Sequence, residues 1–214
     1  MSRVNIRFLL LAALALIVSV IPVIHYPFGW FETFFHELSH GIAALLSGGS
    51  IHRIRLNLNG SGICTTSGGN EFLILFSGYA GSVLWGSLIY ILSSMGKEQR
   101  SKMIAMLLST LVVIVALLWA RDIITWVILV VITTIFILSY RYGSKKTTHL
   151  LISFIALYVV LSSLHSPLNL LDGLNRGDGY ALAELTMLPE FFWVLVWCGF
   201  SFFCLYLLYK KQAK

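Results

Sequence analysis

Apolar residues run along this chain in blocks separated by short polar breaks, and the blocks have the length a bilayer demands. A hydrocarbon core about 30 Å thick takes roughly 20 helical residues to cross. Runs of that order occupy about residues 8–24, 30–46, 72–93, 103–120, 123–140, 149–164 and 191–209. The pattern predicts an all-α polytopic membrane protein of about six to seven transmembrane helices. His25-Tyr26-Pro27-Phe28-Gly29 is the expected break between the first two runs, and Arg121-Asp122 the break between the fourth and fifth. The first run is read as a retained span or signal anchor, because bulky Ile21 to Tyr26 offer no small-residue cleavage site.

Residues 48–69 do not fit a helix. His52, Ile54, Leu56 and Leu58 alternate with Arg53, Arg55, Asn57 and Asn59, which is strand periodicity. Asn59-Gly60 signals a turn, and Ile63-Cys64-Thr65-Thr66 a return strand, so a β-hairpin is expected over about 50–66. Open strands cannot face lipid, which confines the hairpin to the interface or to the wall of a protein cavity. An edge strand in such a place also suits an extended peptide. In the third run Gly78, Gly81 and Gly86, with Ala80 and Ser82, form a small-residue face for close packing, expected against the second helix. No repeat is visible, and residues 1–214 read as one membrane domain.

Composition agrees. The chain is 58% hydrophobic and only 11% charged, with mean hydropathy +0.87; a soluble domain is about 25% charged. Its Lys and Arg residues cluster between the apolar runs, where they flank spans, and no aromatic-basic interleaving points to nucleic acid. Cys64, Cys198 and Cys204 have no CxxC spacing, so neither a disulfide framework nor a cysteine metal site is expected.

The chemistry sits in the second run, in a helix expected over about 30–47. His36-Glu37-Leu38-Ser39-His40 is an HExxH motif. Residues i and i+4 project from one face of a helix, so His36 and His40 reach one metal ion, and Glu37 lies beside the water that such an ion activates. The competing readings are a chance match or a polar cluster on a helix seam. Imidazole and carboxylate groups at membrane depth are costly, which favours function. Zinc is the metal this motif points to.

A catalytic zinc usually takes three protein ligands, and no His or Glu follows the motif before Gly48-Gly49 ends its helix. The third ligand must be distant. Of the three Asp residues, Asp172 and Asp178 fall in one polar segment over about 166–179. Asp172 is the favoured ligand, Asp178 the alternative, and Asn169 a candidate to hold a substrate carbonyl or orient the carboxylate. A plain Asp-Gly turn is the bland reading of Asp172.

HELSH on a membrane helix, a hairpin after it, and Leu171-Asp172-Gly173 late in the chain resemble the site-2 protease family of intramembrane zinc metalloproteases. Residues from His36 to about Tyr90 and from Arg176 to about Trp197 are similar to a compact bacterial branch of that family, as is the phrase from Gly177 to Pro189. The proline-rich stretch that commonly precedes leucine-aspartate-glycine is reduced to Pro167, and no PDZ-like or nucleotide-sensing region is expected. The resemblance implies a zinc-dependent endopeptidase that cleaves a transmembrane protein substrate within the lipid bilayer, in a multi-pass protein of the bacterial cell membrane. A transporter or metal-binding membrane protein is the alternative, against which the lack of an inverted repeat counts.

The resemblance also implies that hairpin and site face the cytoplasm. With seven spans that orientation puts Arg3, Arg7, Arg53, Arg55, Arg121 and Arg176 inside and the other nine Lys and Arg outside, against the positive-inside trend.

Overall fold

A computed structural model of the protein describes residues 3–94 and 99–212. It contains α1 (Arg3–Val20), α2 (Pro22–Leu46), β1 (Ser50–Leu56), β2 (Gly62–Ser67), α3 (Glu71–Ser94), α4 (Gln99–Trp119), α5 (Ile123–Arg141) and α6 (Lys145–His165). A 3-10 turn (Ser166–Leu170), α7 (Gly177–Thr186) and α8 (Glu190–Gln212) complete it. Five helices are each long and apolar enough to span a bilayer: α3, α4, α5, α6 with its 3-10 extension, and α8. The α1–α2 pair passes only when taken together, bent by 108°, as a broken span or a re-entrant loop, which gives five or six. The upper end of the expected six to seven counted that pair as two spans.

The break between α1 and α2 lies at Ile21 and not over residues 25–29. Ile21 is extended (φ −97°, ψ 104°), the conformation favoured before a proline, and Pro22 opens α2 where its missing N–H would have no partner anyway. Helix α2 then runs on through Pro27, which gives up one backbone bond inside it.

Helix α6 is the axle of the bundle. Of its most apolar window, 78% is buried within the protein, against 33–44% for the other four spans. At one end of the bundle the Ser93 hydroxyl meets Ser101, His149 and Ser153, which ties the end of α3 to the starts of α4 and α6. Thr148 Oγ1 donates to the Ser139 carbonyl, bringing the end of α5 there too. The Phe8 ring packs on Tyr90 and Tyr209, so the start of α1 and the end of α8 share this end.

The opposite end carries the hairpin. Strands β1 and β2 pair antiparallel, with Ile54 opposite Cys64 and Leu56 opposite Gly62. A register irregularity between Ile51 and Arg53 places Ile51 inside and His52 outside, where simple alternation put His52 on the inner face. An added residue reverses the side on which every preceding side chain falls. The Leu56 N–H donates to Thr125 Oγ1 (2.9 Å), anchoring the hairpin on the start of α5. Asp122 caps that same helix by accepting the Thr125 N–H (2.9 Å). Trp30 Nε1 donates to the Leu58 carbonyl and Thr33 Oγ1 to that of Gly60, pinning the hairpin's turn on α2.

Candidate metal centre

Helix α2 presents His36 and His40 one turn apart, with their Nε2 atoms 2.9 Å from each other. Helix α7 begins with Gly177 in the left-handed region (φ 86°) after the extended Arg176. That turn directs the next residue, Asp178, inward. Its Oδ2 lies 3.0 Å from His36 Nε2 and 3.3 Å from His40 Nε2. Burial alone would raise the Asp178 carboxyl, but His40 and His36 hold it well below the usual carboxylate range. It is therefore an anion facing two imidazoles.

Neighbouring groups aim these side chains. His40 Nδ1 lies 2.6 Å from the Ile74 carbonyl, and a carbonyl only accepts. The proton is thus on Nδ1, and Nε2 is the ring atom that faces the cluster. The His36 ring stands edge-on to Tyr79, centroids 4.5 Å apart. Between the histidines and α3 there is room only for glycine: a Cβ on Gly78 would come within 2.5 Å of His40 Nε2 and 2.6 Å of His36 Nε2. The small-residue face of α3 is thus divided. Gly78 and Gly81 receive α2 side chains, as expected, but Gly86 faces the α6 backbone at Ala156.

Glu37 is buried, and its Oε2 has no hydrogen-bond partner among the described residues. The hairpin closes over it, since a Cβ on Gly62 would sit 2.6 Å from Glu37 Oε1. A cavity of about 1220 Å³ opens beside these groups, walled by the motif residues, β2 and the 166–178 segment. Burial and the Glu37 charge push the Cys64 thiol up to about 12, so it stays a neutral thiol in that wall.

The donor set fits a metal ion. Three ligand atoms, two imidazole nitrogens and one carboxylate oxygen, lie within 4.8 Å of one another. Atoms bound tetrahedrally to zinc at about 2.0–2.2 Å are roughly 3.3–3.5 Å apart, so a slight spreading of the observed 2.9–3.3 Å seats the ion.

Sequence reasoning preferred Asp172, and here the structure differs. Asp172 is exposed; its Oδ1 accepts the Leu174 N–H (2.8 Å) and its Oδ2 accepts from Arg176 Nη2 (3.0 Å). With Gly173 at φ 74° this is the plain Asp-Gly turn. Asp178, the alternative, is the carboxylate beside the histidines. Asn169 lies exposed on the 3-10 turn and lines the cavity without joining the donor set.

Two residues escaped the sequence reading. Glu32 is buried one turn before His36, its Oε1 unpartnered among the described residues, and it lines the same cavity. Its signal was available: Glu32, His36 and His40 recur at i, i+4 and i+8 on one helix face. Tyr79 has no such signature, because only tertiary packing brings it to His36.

A family model described as Peptidase M50B-like matches residues 9–208. The chain belongs to that family. Membership places it with the site-2 proteases, as an intramembrane metalloprotease in kind and a multi-pass membrane protein. Neither a curated protein nor a solved structure matches the chain.

Proposed function

We propose that the protein is a zinc-dependent endopeptidase that hydrolyses a peptide bond in or near a transmembrane segment of a membrane protein, in the bacterial plasma membrane. The observation that carries this reading is the convergence of His36 Nε2, His40 Nε2 and Asp178 Oδ2, with the buried Glu37 carboxylate, whose Oε2 is unpartnered among the described residues, next to them. Those three residues would hold the metal. When bound, zinc supplies Lewis-acid polarisation of the scissile carbonyl and lowers the pKa of water toward about 7.

The remaining work belongs to the chain's own groups. Glu37 takes a proton from the attacking water and returns it to the leaving amine. Ile74, through its carbonyl, keeps His40 in the tautomer that turns Nε2 inward. The substrate segment unwinds to present its backbone, and strand β2, whose described strand partner is β1 alone, offers an edge along the cavity for it to pair with. The walls around Glu37 limit access to water that enters through that cavity.

The test is cleavage of a membrane-embedded reporter by purified protein in vesicles. Glu37→Gln should lower turnover by about 10²–10⁴-fold, the usual worth of a general base, while bound zinc stays at the level of the unaltered protein. Full cleavage by Glu37→Gln would sink the mechanism.

A further inference from the structure

The cavity beside the metal centre is acidic, in a chain whose formal net charge is +6. Its described lining includes five carboxylates, Glu32, Glu37, Glu71, Asp172 and Asp178, and one arginine, Arg176. Asp178 faces the histidines, Glu37 is the proposed base, and Asp172 holds Arg176. Glu71 is exposed in the first turn of α3. Glu32 is left without a role. It is only 8% exposed, and its Oε1 has no partner among the described residues. The Ser166 Oγ, in the wall of the same cavity, is likewise buried and unpartnered among them. A carboxylate taken out of water is costly unless hydrogen bonds or a counter-charge replace the lost solvation. The histidines nearby do not supply them: His25 Nδ1 meets the Tyr158 hydroxyl and His165 Nδ1 the Leu161 carbonyl. Nor is Glu32 part of a second metal site, since the one group of described residues placed to hold an ion is His36, His40 and Asp178.

Position along α2 says what would meet this carboxylate. His25, Gly29, Glu32, His36 and His40 all line the cavity and recur every three or four residues, so the cavity follows one face of α2. From His25 to His40 that face is about 22 Å long at 1.5 Å per residue. Strand β2 runs beside it in the same direction: Thr33 Oγ1 donates to the Gly60 carbonyl, Gly62 lies against Glu37, and Cys64 Sγ lies close to Gly41. A peptide paired with the β2 edge would lie along the same face. Glu32 precedes His36 by about one turn, some 6 Å, and an extended chain rises about 3.3 Å per residue. The substrate residue level with Glu32 is therefore about two residues from the one at the metal.

Resting on the proteolytic reading, we propose that Glu32 forms a specificity subsite that receives a lysine or arginine side chain of the substrate, about two residues from the scissile bond. A cation supplies both the counter-charge and the N–H donors that the carboxylate lacks, and its long apolar stem can cross the cavity wall. A neutral apolar side chain would seal Glu32 off unpaired, so the preference for a basic residue has an attractive and a repulsive part. Lysine and arginine cluster where transmembrane segments end. The subsite therefore selects a cleavage position close to the basic flank of the substrate's membrane segment.

Binding tests this without cleavage. Full-length Glu37→Gln protein in detergent is titrated with fluorescent peptides of a model transmembrane sequence, in which a single lysine is moved one position at a time against a norleucine background. At one position lysine should tighten binding about 10-fold or more, the scale of a hydrogen-bonded ion pair. Adding Glu32→Gln should bring the lysine-to-norleucine ratio to within about twofold of one, and Glu32→Lys should pass the preference to glutamate at the same position. Each ratio is taken within one preparation, so it does not depend on the fraction folded. A lysine preference at no position, or one that survives Glu32→Gln, overturns the proposal. Should the Glu32 variants fail to accumulate, carbodiimide coupling in the Glu37→Gln protein decides: mass spectrometry should find the peptide lysine joined to Glu32, and links to other carboxyls alone overturn it. A Glu32-dependent lysine preference in a protein that cleaves no reporter would sink the proteolytic reading and leave the subsite standing; cleavage without that preference would do the reverse.

Discussion

The motif helix and the segment from 166 to 186 contribute to the same centre, yet they do so by different physics. In α2 the spacing within one helix brings His36 and His40 together, so five consecutive residues suffice to place both imidazoles. In the late segment two aspartates six residues apart have opposite fates. Asp172 turns outward into a loop closed by Leu174 and Arg176, whereas Asp178 enters the first turn of α7 and reaches the histidines. Local periodicity decides the first region. Packing of a short helix against α3 and α8 decides the second.

Exchanging the roles of the two aspartates is the strongest way to break this contrast. Asp178→Asn removes an anion from between two imidazoles, and proteolysis should fall below detection, as for loss of any zinc ligand. A smaller effect is expected where the histidines are supported and not replaced. Gly78→Ala puts a methyl group within 2.6 Å of both Nε2 atoms, and zinc affinity measured by competition with a chelator should drop about 10–100-fold, the scale of outer-shell changes. Unchanged affinity would mean that α3 does not constrain the site.

The smallest effect belongs to Asp172. The Leu174 N–H and then Arg176 hold its carboxyl below the ordinary value. A depressed folded pKa means that the contact contributes at neutral pH and is lost as pH falls through that depressed value. Protection of the Leu174 amide from hydrogen exchange should therefore decline in acid in the unaltered protein. Asp172→Asn should flatten that decline and leave activity within about twofold, as for surface changes in general.

Much of the bundle is legible in the sequence because lipid imposes a simple pattern. Helices α3, α5 and α8 begin and end within a residue or three of the apolar runs at 72–93, 123–140 and 191–209. The hairpin is equally legible from its alternation and from Asn59-Gly60. What sequence pattern conceals is geometry set between elements. Nothing in the apolar run says that α1 and α2 meet at a 108° bend at Ile21, although Pro22 marks the place. Leucine-aspartate-glycine draws attention to Asp172 and leaves Asp178 as the alternative, while the feature that brings Asp178 to the histidines is the left-handed Gly177 ahead of α7. Glu32 was within reach of helical spacing and was passed over. Tyr79 was not, since its role depends on how α3 lies against α2.

On the proposed reading, His36, His40 and Asp178 hold one zinc ion. The most direct measurement is metal content by mass spectrometry of protein purified without chelators, for the unaltered chain, Asp178→Ala and Asp172→Ala side by side. About one zinc per chain is expected for the unaltered protein and for Asp172→Ala, and close to none for Asp178→Ala. Full zinc in Asp178→Ala together with its loss in Asp172→Ala would contradict the account.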